Sequence, residues 1–123
     1  MSFERSPCPV AAGLDLLGDR WTLVVLRDLF RGLSRFGDFL ESPEGISTNI
    51  LAERLKRLEC AGLIERRRYQ ERPPRDEYAL TRRGAETLPI LQALARWANR
   101  HLEGTWLPPG EFFEWTPDRF ASD

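Results

Sequence analysis

Residues 45–81 read GISTNILAERLKRLECAGLIERRRYQERPPRDEYALT, and the changes of pattern within this stretch decide the fold. Ser47 opens a helix running to about Ala61, because Leu51, Leu55 and Leu58 recur at helical spacing and Gly62 follows as the stop. The period then changes. Leu63 to Tyr69 reads as a strand, Gln70 to Asp76 is a loop holding Pro73-Pro74, and Glu77 to Leu80 reads as a second short strand. Thr81 is placed to cap another helix.

The elements before this stretch are helical. Cys8-Pro9 opens an apolar run, Val10 to Leu17, that ends at Gly18. Asp19 is placed to cap a second helix, in which Trp21, Val24, Val25, Leu26, Leu29 and Phe30 cover one broad side, and Gly32 closes it. Ser34 is expected to cap a short third helix carrying Phe36, Phe39 and Leu40, and Ser42-Pro43-Glu44-Gly45 is turn chemistry. Downstream, one long helix is expected from Thr81 to about Leu102, kinked near its start by Pro89. The fold class is therefore α+β, mainly α: a winged helix-turn-helix domain with N- and C-terminal dimerisation helices. Residues 1–7 are expected to form a flexible arm, 8–102 the domain, and 103–123 an aromatic, acidic C-terminal extension.

A chain of 123 residues fits one domain. No apolar run approaches the roughly 18 residues of a membrane span, and the first residues lack a secretory leader. The two cysteines, Cys8 and Cys60, make no disulfide framework, so a reducing cytoplasm is the expected setting. His101 is the single histidine; one His and two distant Cys do not assemble a four-ligand zinc site, and neither metal nor cofactor is expected. There is no phosphate-cradling glycine loop and no arrangement of Ser, His and acid that reads as a triad, so the chain is not expected to be an enzyme.

The net charge is −1, but its distribution is uneven. Residues 47–83 hold ten Arg or Lys against six Asp or Glu, whereas the remainder is acidic. A basic middle on an acidic body provides one face for a polyanion. At about 100° per residue, Leu51, Leu55 and Leu58 define the buried side of the Ser47 helix. Asn49, Glu53 and Lys56 fall opposite, Arg57 on the flank, and Thr48 with Ala52 at the shoulder. Small polar groups at the start of such a helix suit base edges in a major groove, and cations farther along suit phosphate. The candidate DNA-binding residues are Ser47, Thr48, Asn49, Glu53, Arg54, Lys56 and Arg57, with Arg35 at the third helix and Arg72 and Arg75 at the hairpin tip.

Asn49 has the amide that pairs with adenine, although an Asn near a helix start also favours the cap region for itself. Glu53 is placed either to accept from cytosine or to pair with Arg57 four residues on. Arg66, Arg67 and Arg68 alternate between strand faces, so at least one should meet an acid on the body.

With these elements placed, the sequence resembles the HxlR family of bacterial regulators over about residues 8–102. The matching segments are Cys8-Pro9, Gly18-Asp19-Arg20-Trp21-Thr22, Leu26-Arg27-Asp28-Leu29, Arg35-Phe36 and Gly45-Ile46-Ser47. They continue with Leu51, Arg54-Leu55, Leu58-Glu59 and Gly62-Leu63-Ile64, then Arg67, Tyr69, Pro73-Pro74-Arg75, Tyr78, Leu80-Thr81, Gly84 and Trp97. The resemblance implies a dimeric DNA-binding regulator whose fourth helix reads the major groove while the wing touches the flanking backbone. It also implies that a cysteine near the N-terminus serves in some members as a redox or electrophile sensor. Two departures stand out: the extension beyond 102, and the acidic loop Glu41-Ser42-Pro43-Glu44, an unusual choice beside phosphate.

The last helix argues for a homodimer independently. Its apolar arc, taking in Ile90, Leu91, Leu94, Ala95, Trp97, Ala98, His101 and Leu102, spans about 180°, against the roughly 100° that docking on one core requires. The interface residues expected are Leu14, Leu17, Leu91, Leu94, Trp97, Ala98, His101 and Leu102, with His101 as a packing residue. The aromatic tail, with Trp106, Phe112, Phe113, Trp115 and Phe120, is expected to pack along the dimer seam or to form a lid over a ligand pocket. Cys8 precedes a helix whose N-terminal dipole favours an anion; it is either a redox sensor, with Cys60 as its resolving partner, or a small packing residue. The function expected is a sequence-specific transcriptional regulator on a palindromic operator, a repressor by preference. The alternative is a winged-helix adaptor docking an acidic protein; RNA binding is a poorer third, since no exposed aromatic platform accompanies the basic strip.

Overall fold

A computed structural model describes residues 3–121. The elements run α1 (Pro9–Leu17), α2 (Thr22–Phe30), α3 (Phe36–Leu40), α4 (Thr48–Cys60), β1 (Ile64–Gln70), β2 (Arg75–Leu80), α5 (Arg82–Ala85) and α6 (Leu88–His101), followed by 3-10 turns at Phe112–Glu114 and Pro117–Arg119. No helix among these is long and apolar enough to cross a membrane.

The core gathers around α2. Val25, Leu26, Leu29 and Phe30 are buried against Phe39 of α3, Leu51, Leu55 and Leu58 of α4, Leu63, Ile64 and Leu80 at the base of the hairpin, and Leu88 and Leu91 of α6. Burying side chains of this size removes on the order of 1.5–3 kcal/mol each from contact with water. One charge lies inside: the Asp28 side chain is 2% exposed. It is fully engaged, accepting from Arg27 Nη2 at 2.8 Å, from Arg31 Nη1 at 3.0 Å and from the Ser42 hydroxyl. A buried carboxylate survives on such terms because several donors replace its water.

The hairpin is antiparallel, with Ile64 opposite Leu80 and Arg68 opposite Asp76, and its register shifts between Arg68 and Gln70. Gly62 turns the chain out of α4 at φ +79°, a left-handed conformation that disfavours side chains with a Cβ.

Three local expectations are corrected. The third helix is not capped by Ser34: its N-cap is Arg35, whose backbone N–H donates to Asp38 Oδ2 at 3.2 Å, while the Ser34 hydroxyl donates to Glu77. Strand β2 starts at Arg75, two residues before Glu77. The long terminal helix is two helices. Thr81 does cap the first, accepting from Gly84 N, but α5 ends at Ala85 and the Thr87 hydroxyl donates to Gly84 O at 2.7 Å. Pro89 therefore lies in the first turn of a new helix, where its missing N–H costs nothing, and it introduces no kink.

The N-terminal arm is tied down where it is described. Arg5 Nε donates to Asp15 Oδ1 at 2.8 Å and its Nη2 to Ala11 O; residues 1 and 2 lie outside the described residues.

The extension packs on its own protomer. Gln92 Nε2 donates to Phe112 O and Trp115 O, both at 2.9 Å, and Asn99 Nδ2 donates to Thr105 Oγ1 and Trp106 O. Phe120 sets its ring edge-on to Phe30 of the core at 5.0 Å, and Arg82 of α5 pairs with Asp118 at 2.7 Å.

Candidate nucleic-acid interface

The candidate surface starts where α3 hands over to α4. The connecting turn is pinned from beneath: Ser42 is buried and bonded to Asp28, Ile46 is buried, and Glu44 forms a two-point ion pair with Arg27, 2.7 Å to Nη1 and 2.8 Å to Nη2. The hydrogen bonds from Arg27 hold the Glu44 carboxyl below its ordinary value despite partial burial. The same pairing with Glu44, then Asp28, raises the Arg27 guanidinium. The loop that looked too acidic for a DNA-facing surface thus has one of its two acids neutralised from within.

Beyond the turn, Ser47 accepts from Ile50 N at 3.3 Å and starts α4. Thr48, Asn49, Ala52, Glu53 and Lys56 are exposed along its outer side, as the spacing of Leu51, Leu55 and Leu58 requires. Among the described residues the side chains of Thr48, Asn49 and Lys56 have no hydrogen-bond or ion-pair partner.

Two arginines expected at the DNA are paired within the chain. Arg54 Nε donates to Asp19 Oδ2 at 2.7 Å. Arg57 Nη2 donates to Asp15 O of α1 at 2.6 Å, and its Nη1 lies 3.7 Å from Asp19. Both leave α4 on the flank facing the α1–α2 junction, and acids wait there. Glu53 pairs with its neighbour Arg54 and not with Arg57. Asp19 is the hub, also accepting from Trp21 N at 3.0 Å and Thr22 N at 3.2 Å at the start of α2. Burial alone would raise its carboxyl, but hydrogen bonds from Thr22 and Arg54 outweigh that and hold it well below the usual carboxylate range.

On the hairpin, all three strand arginines meet acids. Arg66 lies 3.9 Å from Glu59 of α4 and 4.0 Å from Asp76, Arg67 pairs with Glu65, and Arg68 Nε donates to Asp76 at 2.8 Å. Arg72 and Arg75 at the tip are exposed and have no acidic partner among the described residues. Arg35, also exposed, stacks its guanidinium over the Tyr69 ring at 4.0 Å. That contact joins α3 to the wing, and nothing in the spacing of two residues so far apart in the chain signals their meeting. Of the cations expected at this surface, Arg35, Lys56, Arg72 and Arg75 have no ion pair among the described residues.

The residues expected at a partner surface divide. Leu14, Leu94, Trp97 and Leu102 are half or more exposed, and His101 is exposed with its ring 5.0 Å from that of Trp97. Leu91 is only 7% exposed and belongs to the protomer's own core, and Leu17 packs against that core. Ala98 is half-buried and faces the C-terminal extension. Cys8 and Cys60 are free and exposed, so Cys8 is not a buried packing residue; it sits at the N-cap of α1 with its carbonyl accepting from Ala12 N.

Comparison with known proteins agrees with this architecture. The uncharacterized HTH-type transcriptional regulator sll1512 of Synechocystis is 45% identical over 96 residues, 78% of this chain and 71% of that protein. The reduced form of the transcriptional regulator YodB of Bacillus subtilis superposes with a TM-score of 0.66 at 33% identity, covering 82% of this chain and all of that one. The oxidised form of the redox regulator HypR gives a TM-score of 0.71 at 30% identity, over 78% of this chain and 99% of that one. Residues 16–105 match the HxlR-like helix-turn-helix family, and the chain belongs to it: a winged-helix protein of a family of DNA-binding transcriptional regulators.

Proposed function

We propose that the chain binds a palindromic operator as a homodimer and represses transcription from it, each protomer setting α4 in the major groove and its hairpin tip on the flanking backbone. One observation carries this reading. Among the described residues Thr48, Asn49, Lys56, Arg72 and Arg75 have no partner on the outer side of α4 and the wing tip, while Arg54, Arg57, Arg66, Arg67 and Arg68 nearby are all engaged. Asn49 is the base-reading residue, Arg35, Lys56, Arg72 and Arg75 hold phosphate, and Ser47 fixes the helix start. Twofold symmetry sets the two α4 helices on half-sites about 34–36 Å apart. The setting is the cytoplasm, where the DNA is.

Fluorescence anisotropy with duplex DNA from upstream of the chain's own gene tests this. Specific binding that Asn49→Ala weakens by about 1–3 kcal/mol, with relaxed preference at one base position, is expected. Equal affinity for that duplex and for a scrambled one rules out sequence-specific recognition. A promoter fusion reads the sign: transcription rises when the gene is deleted if the protein represses.

Operator binding is further proposed to respond to oxidation at Cys8. Its thiol is exposed at the start of α1, and HypR, a structural neighbour, is a redox regulator solved in oxidised and reduced forms. A mild thiol oxidant should change operator affinity in the wild type and leave Cys8→Ser unaffected; identical responses would remove Cys8 from the mechanism.

A further inference from the structure

The C-terminal extension does more than cover the core. Between it, α2 and α6 lies a cleft of about 430 Å³, within the roughly 300–1,000 Å³ typical of small-ligand pockets. Val24 of α2, Leu94 and Ala98 of α6, and Trp106, Phe112 and Trp115 of the extension are among the side chains that line it. The wall supplied by the extension is preformed, since Gln92 and Asn99 bond its backbone at Phe112, Trp115 and Trp106. At the outer lip Trp106 and Leu107 are 80% and 83% exposed, two large apolar side chains held out in water beside an apolar cavity.

The polar groups on the lining are the guanidiniums of Arg27 and Arg31. Arg27 is saturated by Glu44 and Asp28, whereas Arg31 spends one donor on Asp28 and is half exposed, leaving its other N–H groups for an acceptor. Aromatic side chains of the extension opposite the aliphatic ones of α2 and α6, with the Arg31 guanidinium on the lining, match a flat ring system bearing oxygen.

We propose that this cleft binds a small planar aromatic molecule whose hydroxyl or carboxylate oxygen meets Arg31, and that occupancy bears on the recognition helix. The route is short. Arg27 lines the cleft and grips Glu44, and Glu44 is followed directly by Gly45, Ile46 and the cap residue Ser47 of α4. A ligand that draws on Arg31 competes with Asp28, which also holds Arg27 and the buried Ser42, and so changes the restraint on the turn that sets α4. The effector role rests on the DNA-binding reading above; the binding site does not.

Isothermal titration of the full chain with 2-naphthol and 2-naphthoate, in the absence of DNA, tests the site alone. Saturable binding at one molecule per chain is expected. Val24→Phe, which fills the cleft, and Trp106→Ala, which removes an exposed wall, should each weaken it about tenfold or more. Arg31→Gln should weaken naphthoate more than naphthol. Melting temperature and sedimentation coefficient, measured in parallel, should stay at wild-type values in Trp106→Ala. Absence of binding by both probes, or binding indifferent to Val24→Phe and Trp106→Ala, overturns the proposal. So does a change of self-association in these variants without a change in probe binding, because the cleft is then the seat of a second copy. Repeating the DNA titration with saturating probe tests the coupling: a shift of about threefold or more that Glu44→Gln abolishes supports it. Probe binding with unchanged DNA affinity overturns the effector role, and loss of DNA binding itself leaves the calorimetric result standing.

Discussion

Asp19 illustrates how one side chain sets the position of a helix. It accepts from the backbone N–H of Trp21, the N-cap of α2, and of Thr22, and it holds Arg54 of α4, so two helices share one carboxylate. A carboxyl held below its ordinary range contributes stability that is fully present above the unfolded value near pH 4 and is lost as the pH falls below it. Asp19→Asn should lower unfolding free energy by about 2 kcal/mol at pH 7, a typical loss for hydrogen bonds to a charged group. The difference from wild type should shrink steadily below pH 4. Urea denaturation of both proteins from pH 7 to pH 3 measures it, and a gap that stays constant would place the stabilisation elsewhere. Gly84 acts through space alone. A Cβ there would stand 1.9 Å from Leu63 O, where α5 crosses the base of the hairpin. Gly84→Ala should cost about 3 kcal/mol, the upper end for a forced fit; wild-type stability of that variant would mean the crossing is loose. The sequence placed Asp19 as the cap of α2, a position that Trp21 takes, and did not show it as a clamp. Helical spacing tells which way Arg54 leaves its helix, and says nothing of an acid 35 residues upstream in the chain.

Among the elements, those with a repeating pattern were legible: α4 and its cap residue Ser47 agree with the sequence reading, as does a hairpin with its tip at Pro73-Pro74. What the pattern missed were competitions between neighbours. Thr81 to Leu102 looked continuous because its apolar spacing hardly falters, yet the Thr87 hydroxyl takes Gly84 O and a second helix begins before Pro89. The cationic face was likewise over-counted, since charge is visible in sequence and ion pairing is not. Arg68 and Arg72 make the distinction measurable. Arg68 is bonded to Asp76, whereas Arg72 at the tip has no partner among the described residues. In a plot of log affinity against log salt, Arg72→Gln and Arg75→Gln should each reduce the slope by about 0.9, the value for one phosphate contact. Arg68→Gln should leave the slope as it was. Equal slopes for all three variants would remove the wing tip from the backbone contact.

For the whole molecule, the question is which apolar surface remains after the extension has folded back. The sequence presented one broad arc on the last helix and assigned it to a partner. The extension and the core cover much of it, taking Leu91 and approaching Ala98. What is left is Ile90, Leu94 and Trp97 on α6, joined in character by Val10 and Leu14 on α1, each between 45% and 69% exposed. Large apolar side chains concentrated on two terminal helices mark an association surface more readily than solitary ones do. Trp97, a large aromatic in that set, is the natural anchor. If the proposed dimer forms through this surface, Trp97→Glu should sediment as a monomer at concentrations where the wild type sediments as a dimer, with the circular dichroism of the fold intact because the side chain is not part of the core. Losing the second half-site removes the gain from tethering, so operator affinity should fall by about 10²–10⁴, whereas affinity for an isolated half-site should hardly change. A variant that remains dimeric, or a monomer that binds the full operator as tightly as before, would detach dimerisation from this surface or from DNA recognition.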